Sequence, residues 1–351
     1  MILKQRKWKI TILILLLFLS ACATTTGPKV TDKEIEVATE ELRIKAAKRF
    51  IETKQWVHTV SWRLLKAIPK EDFKKRRGGI GIDLYNLKDP VLARIAGKEA
   101  SSSDRLIISF VTPGTPAYVA GLKAGDIIKE IDGKKVSDMT DYSRAVEDIT
   151  PGKVTRFTIT RNNQTLNIDI IPADMPRLAV FVIDSPEINA FADSSGVYIT
   201  YGMLRFVKSD DELAFVLGHE MAHLTKGHLL KSTGSQILSG IIGILVGGVM
   251  SRYDPQSGQV LGDTVARGLH APFSRELERE ADYFGLLYTH RAGFDIVKAS
   301  EFWERFAIEL PATMTRSYLG THPSSPERMV RMKKSVEEIL KGDRNSTTPN
   351  P

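Results

Sequence analysis

Apolar positions Ile35, Ala38, Leu42, Ala46, Phe50 and Ile51 follow helical spacing behind the capping box Thr31-Asp32-Lys33-Glu34. The pattern predicts a helix to about residue 67 with one face packed on a body. A charged linker, 70–77, follows, and the texture changes at Gly78. From there to about residue 173, short β-like runs (105–111, 127–131, 156–159 and 166–171) are separated by Gly, Pro and Asp-Gly turns. Two more strand-like runs, 179–183 and 197–201, follow Met175, and the chain then reads as mostly helical to about residue 340. Residues 341–351 are a polar, Pro-containing tail, expected to be disordered. One internal run, 237–250, is strongly apolar: 14 residues with four glycines. That is short of the about 20 residues a spanning helix needs. Ser235, Ser239, Gly243 and Gly247 give it a small face for close helix approach, so it reads as core packing. Dipping into a bilayer surface or covering a site are the alternatives. No repeat of solenoid period is present.

The amino end has the proportions of a targeting segment. Residues 1–9 are basic and 10–19 are apolar apart from Thr11. The run ends in Leu19-Ser20-Ala21-Cys22, which resembles the bacterial lipoprotein processing box, where the cysteine becomes the lipidated first residue. The expected organisation is a signal peptide over 1–21, lipidation at Cys22 and a flexible tether over 22–29. An uncleaved anchor with an incidental buried cysteine is the alternative. Ala23, rather than Asp, follows the cysteine and points to the outer rather than the inner membrane. The expected location is the periplasmic face of a bacterial membrane, with attachment through the lipid.

Composition narrows the class. Apolar residues at 42% and charged residues at 26% exclude wholesale disorder and a polytopic membrane protein. One cysteine excludes intramolecular disulfides, a Cys-rich zinc finger and an iron–sulfur cluster. The formal charge of +7 includes Lys4, Arg6, Lys7 and Lys9, and without those four it is +3. No basic run carries interleaved aromatics, so nucleic acid is not an expected partner.

The candidate chemistry lies at His219-Glu220-Met221-Ala222-His223. The capping box Ser209-Asp210-Asp211-Glu212 starts a helix that runs into both histidines. At i and i+4 the imidazoles share one face, the bite that a single Zn²⁺ needs. Glu220 is placed to act as general base on a water. A second helical stretch holds Glu278 and Asp282, also i and i+4, so that one carboxylate ligates while the other orients a ligand histidine. His228, five residues beyond His223, falls off the ligand face and reads as structural; His58, His270 and His290 carry no signal.

Asn189-Ala190-Phe191-Ala192, the run Val197-Tyr198-Ile199-Thr200-Tyr201-Gly202, His219 to His223 and Glu278 to Asp282 occur in a familiar order. Ala292-Gly293-Phe294-Asp295 and Thr321-His322-Pro323 continue it. Together they resemble the gluzincin zinc metallopeptidases of the BepA, HtpX and CAAX-prenyl-protease type, in the bacterial lipoprotein branch. The resemblance covers about 178–332. It implies His219, His223 and Glu278 as zinc ligands, with Glu276 and Glu280 fitting less well, and Glu220 as catalytic base. It implies Asn189 and an edge strand of Val197, Tyr198, Ile199 and Thr200 as the substrate-binding element. It also brings His322 to the zinc site, either as a fourth ligand that keeps the enzyme latent or as a donor to the oxyanion, a role open to Arg328 too.

The inserted segment resembles a PDZ domain of the protease-associated kind. Gly79-Ile80-Gly81-Ile82 looks like its carboxylate-binding loop, followed by Pro113-Gly114-Thr115-Pro116-Ala117, Gly125-Asp126-Ile127-Ile128 and Asp132-Gly133. Successive glycine amides suit an anion nest, and an open strand edge suits an extended peptide.

The expected fold is α+β: a mostly helical zincin-like domain with a small edge sheet, formed by 30–77 and 175–340, and a β-rich PDZ domain over 78–174 inserted between them. The expected function is zinc-dependent endopeptidase, with one Zn²⁺ per chain, that cleaves unfolded or misassembled envelope proteins. Polypeptide substrates and a peptide ligand of the PDZ groove are the partners. The alternative is a lipoprotein chaperone or adaptor with a latent zinc site.

Overall fold

The computed structural model describes residues 27–100, 106–231, 273–309, 322 and 326–346. The signal segment, Cys22, the apolar run 237–250 and His270 lie outside the described residues. Two compact units divide between Leu42 and Arg43. In the first, helix α1 (Asp32–Ala67) starts on its capping box. Thr31 N–H donates to Glu34 Oε2 at 2.8 Å and Glu34 N–H to Thr31 Oγ1 at 3.3 Å, which satisfies amides that a helix start otherwise leaves open. The packed face expected along the whole helix is missing from these first turns: Ile35 and Leu42 are 53% and 57% exposed. The apolar stripe there is narrow and flanked by Glu36, Glu40 and Glu41.

In the second unit, burial along α1 begins at Ala47. Val57, Val60 and Leu64 join a core with Leu213, Phe215 and Leu217, whereas Ile51 packs with Tyr85, Leu87 and Ile107. One helix therefore serves two bodies.

The first body contains β1 (Arg76–Gly79), β2 (Ile82–Asn86), α2 (Pro90–Ile95), β3 (Leu106–Val111), α3 (Pro116–Ala120) and β4 (Ile127–Ile131). It continues with β5 (Lys134–Lys135), α4 (Met139–Glu147), β6 (Thr155–Arg161), β7 (Gln164–Ile170) and β8 (Ala173–Pro176). The main sheet runs β2-β3-β4-β6-β7, antiparallel, with β5 beside β4. Its core holds Leu106, Ile128, Phe157 and Ile159. Asn162 and Asn163, at φ of 50° and 62°, form the two-residue turn between β6 and β7, where a primed turn requires positive φ. Separately, β1 and β8 pair from Arg76↔Pro176 to Gly79↔Ala173, so the two ends of the segment are zipped into one ribbon.

The second body adds β9 (Ala179–Ile183), β10 (Ala190–Asp193), β11 (Gly196–Thr200), α5 (Tyr201–Phe206) and α6 (Asp210–Thr225). Helices α7 (His228–Lys231), α8 (Arg275–Arg291), α9 (Ile296–Glu309) and α10 (Pro326–Ser346) complete it. The sheet order β10-β11-β9 corrects one expectation. Val197, Tyr198, Ile199 and Thr200 form the central strand, bonded to β10 on one side and β9 on the other, with every residue buried. A strand bonded on both edges has no backbone groups left for a substrate. The expected disordered tail is corrected over 341–346, because α10 continues to Ser346, and 347–351 lie outside the described residues. No proline follows Pro326 until Pro349, so nothing in the chain stops the helix earlier. Among the described residues no helix is long and apolar enough to cross a membrane.

Helices α6 and α8 meet backbone to backbone. A Cβ at Gly285 would lie 2.9 Å from both the N and the Cα of His219, and one at Gly218 would lie 2.9 Å from Gly285 O. Gly285→Ala should therefore force the helices apart and lower stability by about 1–3 kcal/mol. Thermal unfolding measures this, and an unchanged midpoint would show that the contact is loose.

Candidate metal centre

Helix α6 is capped by Ser209, whose Oγ accepts from Glu212 N–H at 3.2 Å, and its residues 212–223 are all buried. It presents His219 and His223 on one face, their Nε2 atoms 3.1 Å apart. Helix α8 brings Glu278, with Oε2 3.6 Å from His219 Nε2 and Oε1 3.5 Å from His223 Nε2. His322 adds its Nδ1, 3.1 Å from His219 Nε2 and 2.9 Å from Glu278 Oε1. All four residues are buried, and their ligand atoms lie within 4.8 Å of one another. A tetrahedral ion with bonds of about 2.0–2.2 Å separates its ligand atoms by about 3.3–3.6 Å, so this donor set fits such an ion.

The electrostatics suit the same role. Burial, only partly offset by the hydrogen bond with Glu278, holds the His223 pKa well below the usual imidazole value, which leaves the ring neutral as a ligand must be. Burial alone would raise the Glu278 carboxyl. The His322 charge and hydrogen bonds from His223 and His322 outweigh it and hold the group well below the usual carboxylate range. Against its own burial, His322 is pushed up by Glu278 and Glu220.

Glu220 lies one residue from His219 and is 1% exposed, with Oε1 3.4 Å from His322 Nε2. The two nitrogens of His322 thus face the ligand set and the candidate base. Asp282 Oδ1 lies 3.0 Å from His219 Nδ1, on the far side of the ring from the ligand nitrogen. This separates the two carboxylates left open by their spacing: Glu278 joins the ligand cluster and Asp282 orients its histidine. Asp282→Asn should weaken metal affinity by about 10–100-fold. Competition with a chromophoric chelator measures this, and unchanged affinity would show that the helix alone orients His219.

Arg328 does not reach toward a substrate. Its Nε and one terminal nitrogen donate to Asp282 at 2.7 Å each, it lies 3.0 Å from Glu278 Oε2, and its guanidinium sits 3.9 Å above the Trp303 ring. It clamps the carboxylates from behind.

His228 was read only as structural. It is fully buried, with Nδ1 3.0 Å from His223 Nδ1 and Nε2 3.0 Å from Glu280 Oε2. A carboxylate–imidazole chain therefore supports His223 as Asp282 supports His219. Phe273 stacks on His223 at 4.0 Å. Glu280, the poorer zinc-ligand candidate of the sequence, thus bonds His228 outside the His-His-Glu-His cluster, and nothing in the sequence marks Phe273. Glu276 has a 75% exposed side chain and is no ligand.

Asn189 is buried beside β10, its N–H bonded to Thr200 Oγ1 at 3.0 Å. The loop Gly79-Ile80-Gly81-Ile82 lies in the first body, between β1 and β2, with Gly81 at φ 84° and packed so closely on Thr115 that no Cβ fits.

Residues 163–336 match Peptidase family M48, and residues 78–171 match the PDZ domain. The mitochondrial metalloendopeptidase OMA1 of Arabidopsis thaliana is 33% identical over 46% of this chain and 32% of its own length. Metalloendopeptidase OMA1 of Danio rerio is 31% identical over 63% of this chain and 46% of its own. The beta-barrel assembly-enhancing protease of Escherichia coli is 29% identical over 45% and 34%. The chain thus spans less than half the length of these relatives. The buried His-His-Glu-His cluster falls inside the first match and the glycine loop inside the second, and the chain carries a peptidase family M48 domain and a PDZ domain.

Proposed function

We propose that the protein is a zinc-dependent endopeptidase of the bacterial cell envelope. The observation that carries this reading is the convergence of His219, His223 and Glu278 on one point, with Glu220 buried beside it. One Zn²⁺ per chain, held by these three residues, would supply Lewis acidity that polarises the scissile carbonyl and makes water more acidic. Glu220 takes the proton of the attacking water and delivers it to the leaving amine. Strand β10, an edge of its sheet, and Asn189 beside it receive the substrate backbone by strand addition, in place of β11. His322 restrains the enzyme, because its ring holds a position between the ligand cluster and the base.

Substrates of this reading are unfolded or misassembled envelope proteins, and the PDZ groove takes a peptide that recruits or regulates. Cys22 anchors the mature chain by its lipid at the periplasmic face, in the outer membrane. The box Leu19-Ser20-Ala21-Cys22 supports the anchor and Ala23 the outer membrane.

The test is cleavage of unfolded β-casein by purified protein, with metal content measured alongside. About one zinc per chain and cleavage that a chelator stops and zinc restores are expected. Zinc bound without cleavage, even with His322 replaced, would favour the adaptor with a latent site, which the four protein ligands also suit.

A further inference from the structure

The structure holds a cavity of about 670 Å³ whose walls come from both bodies. Strand β2 and helix α4 form one side, with Ile82, Met139 and Tyr142. Helix α1 and strand β9 form the other, with Trp62, Val180 and Phe181. The volume lies within the range of about 300–1,000 Å³ found for ligand sites.

We propose that this cavity is a four-walled peptide site, two of whose walls, α1 and β9, lie outside the residues matched to the PDZ domain, and that its ligand is a short extended peptide with apolar side chains and a free carboxylate. The inference rests on the reading of the PDZ groove as a peptide site and adds the walls that complete it.

Two features name the ligand, and a third fixes a wall of its site. The first is an anion end. Arg77 lines the cavity and donates to Leu178 O at 3.3 Å, but has no carboxylate within ion-pair distance among the described residues. The Ile80 and Gly81 amides beside it donate to no backbone carbonyl among those residues. A cation and two backbone amides among the residues that line the cavity suit a carboxylate. The second is backbone. Strands β2 and β9 both end their sheets and both line the cavity, and extended chain is the ligand that sheet edges bind.

The third is that the outer wall is fixed. Lys54 Nζ of α1 donates to both carboxylate oxygens of Asp83 on β2, at 3.1 and 3.0 Å. His58 Nε2 lies 3.7 Å from the same carboxylate, and Ser109 Oγ donates to it at 2.9 Å. Helix α1 is thus fastened to the strand that would pair with the peptide. A peptide in the groove meets α1 and β9 without moving either.

Photocrosslinking in the full chain tests this. p-Benzoylphenylalanine is placed singly at Met139, Trp62 or Phe181, with Tyr118, which is 57% exposed on α3, as control. The probe is a fluorescein-labelled hexapeptide ending in Phe-Val with a free carboxylate, compared with its C-terminal amide. Saturable crosslinks of the free acid from Met139, Trp62 and Phe181 alike, and none from Tyr118, are expected. The amide and the Arg77→Ala variant should each bind about tenfold more weakly or worse, through loss of a charged hydrogen bond. Crosslinks from Met139 alone, with affinity intact, would overturn the shared site yet leave an ordinary PDZ groove. No saturable binding of either peptide would overturn the PDZ reading and the inference with it.

Discussion

Replacing Glu220 by Gln should leave metal and fold in place while cleavage falls by about 10²–10⁴-fold. The substitution keeps the volume of a side chain that is 1% exposed, so packing in α6 is preserved. It takes no atom from the cluster of His219, His223, Glu278 and His322. What it removes is a carboxylate able to accept a proton and return it. Metal content equal to wild type, an unchanged unfolding midpoint and near-absent turnover form the expected triad. Appreciable cleavage by Glu220→Gln would rule out this residue as the base, whereas loss of metal would mean that it ligates.

His322→Ala should act in the opposite direction, raising cleavage by about tenfold if nine molecules in ten are closed at rest. The sign follows from where the ring sits. Nδ1 is 2.9 Å from Glu278 Oε1 and Nε2 is 3.4 Å from Glu220 Oε1, so the imidazole engages ligand and base together. On the proposed latch reading, the ring takes the place of the attacking water. Were His322 instead a donor to the oxyanion, the variant would lose about 10²–10³ in turnover. Initial rates on an unfolded substrate, normalised to bound metal, separate the two signs. An unchanged rate would make His322 an ordinary loop residue.

Much of the centre was legible because it is local. His219 and His223 lie one helical turn apart behind a capping box, as do Glu278 and Asp282 on their helix, so spacing alone put each pair on one face, with Glu220 next to the first histidine. Distance along the chain hid the rest. Arg328 lies 46 residues from the carboxylate it clamps, and no short-range pattern tells a clamp from an oxyanion donor. The mistaken edge strand had a signal that was available. Val197, Tyr198 and Ile199 are consecutive large hydrophobic residues with no polar alternation, which suits a covered central strand better than an exposed edge. Strands β1 and β8 were invisible because Arg76-Arg77-Gly78-Gly79 has no strand propensity of its own; its pairing comes from β8, about a hundred residues on. The helices of the PDZ segment were also hidden, since α2, α3 and α4 are short and sit among turn residues.

The ribbon of β1 and β8 has a thermodynamic consequence for anything bound beside it. A domain on one flexible linker searches a large volume, and each meeting with its neighbour costs translational and rotational entropy. Here both connections are locked rung by rung over four residue pairs, so that cost falls during folding and not at binding. The residues of both bodies that line the cavity are then held at high effective concentration before any ligand arrives. A peptide entering between them loses only its own freedom, and even a short, weakly contacting sequence can bind with useful affinity.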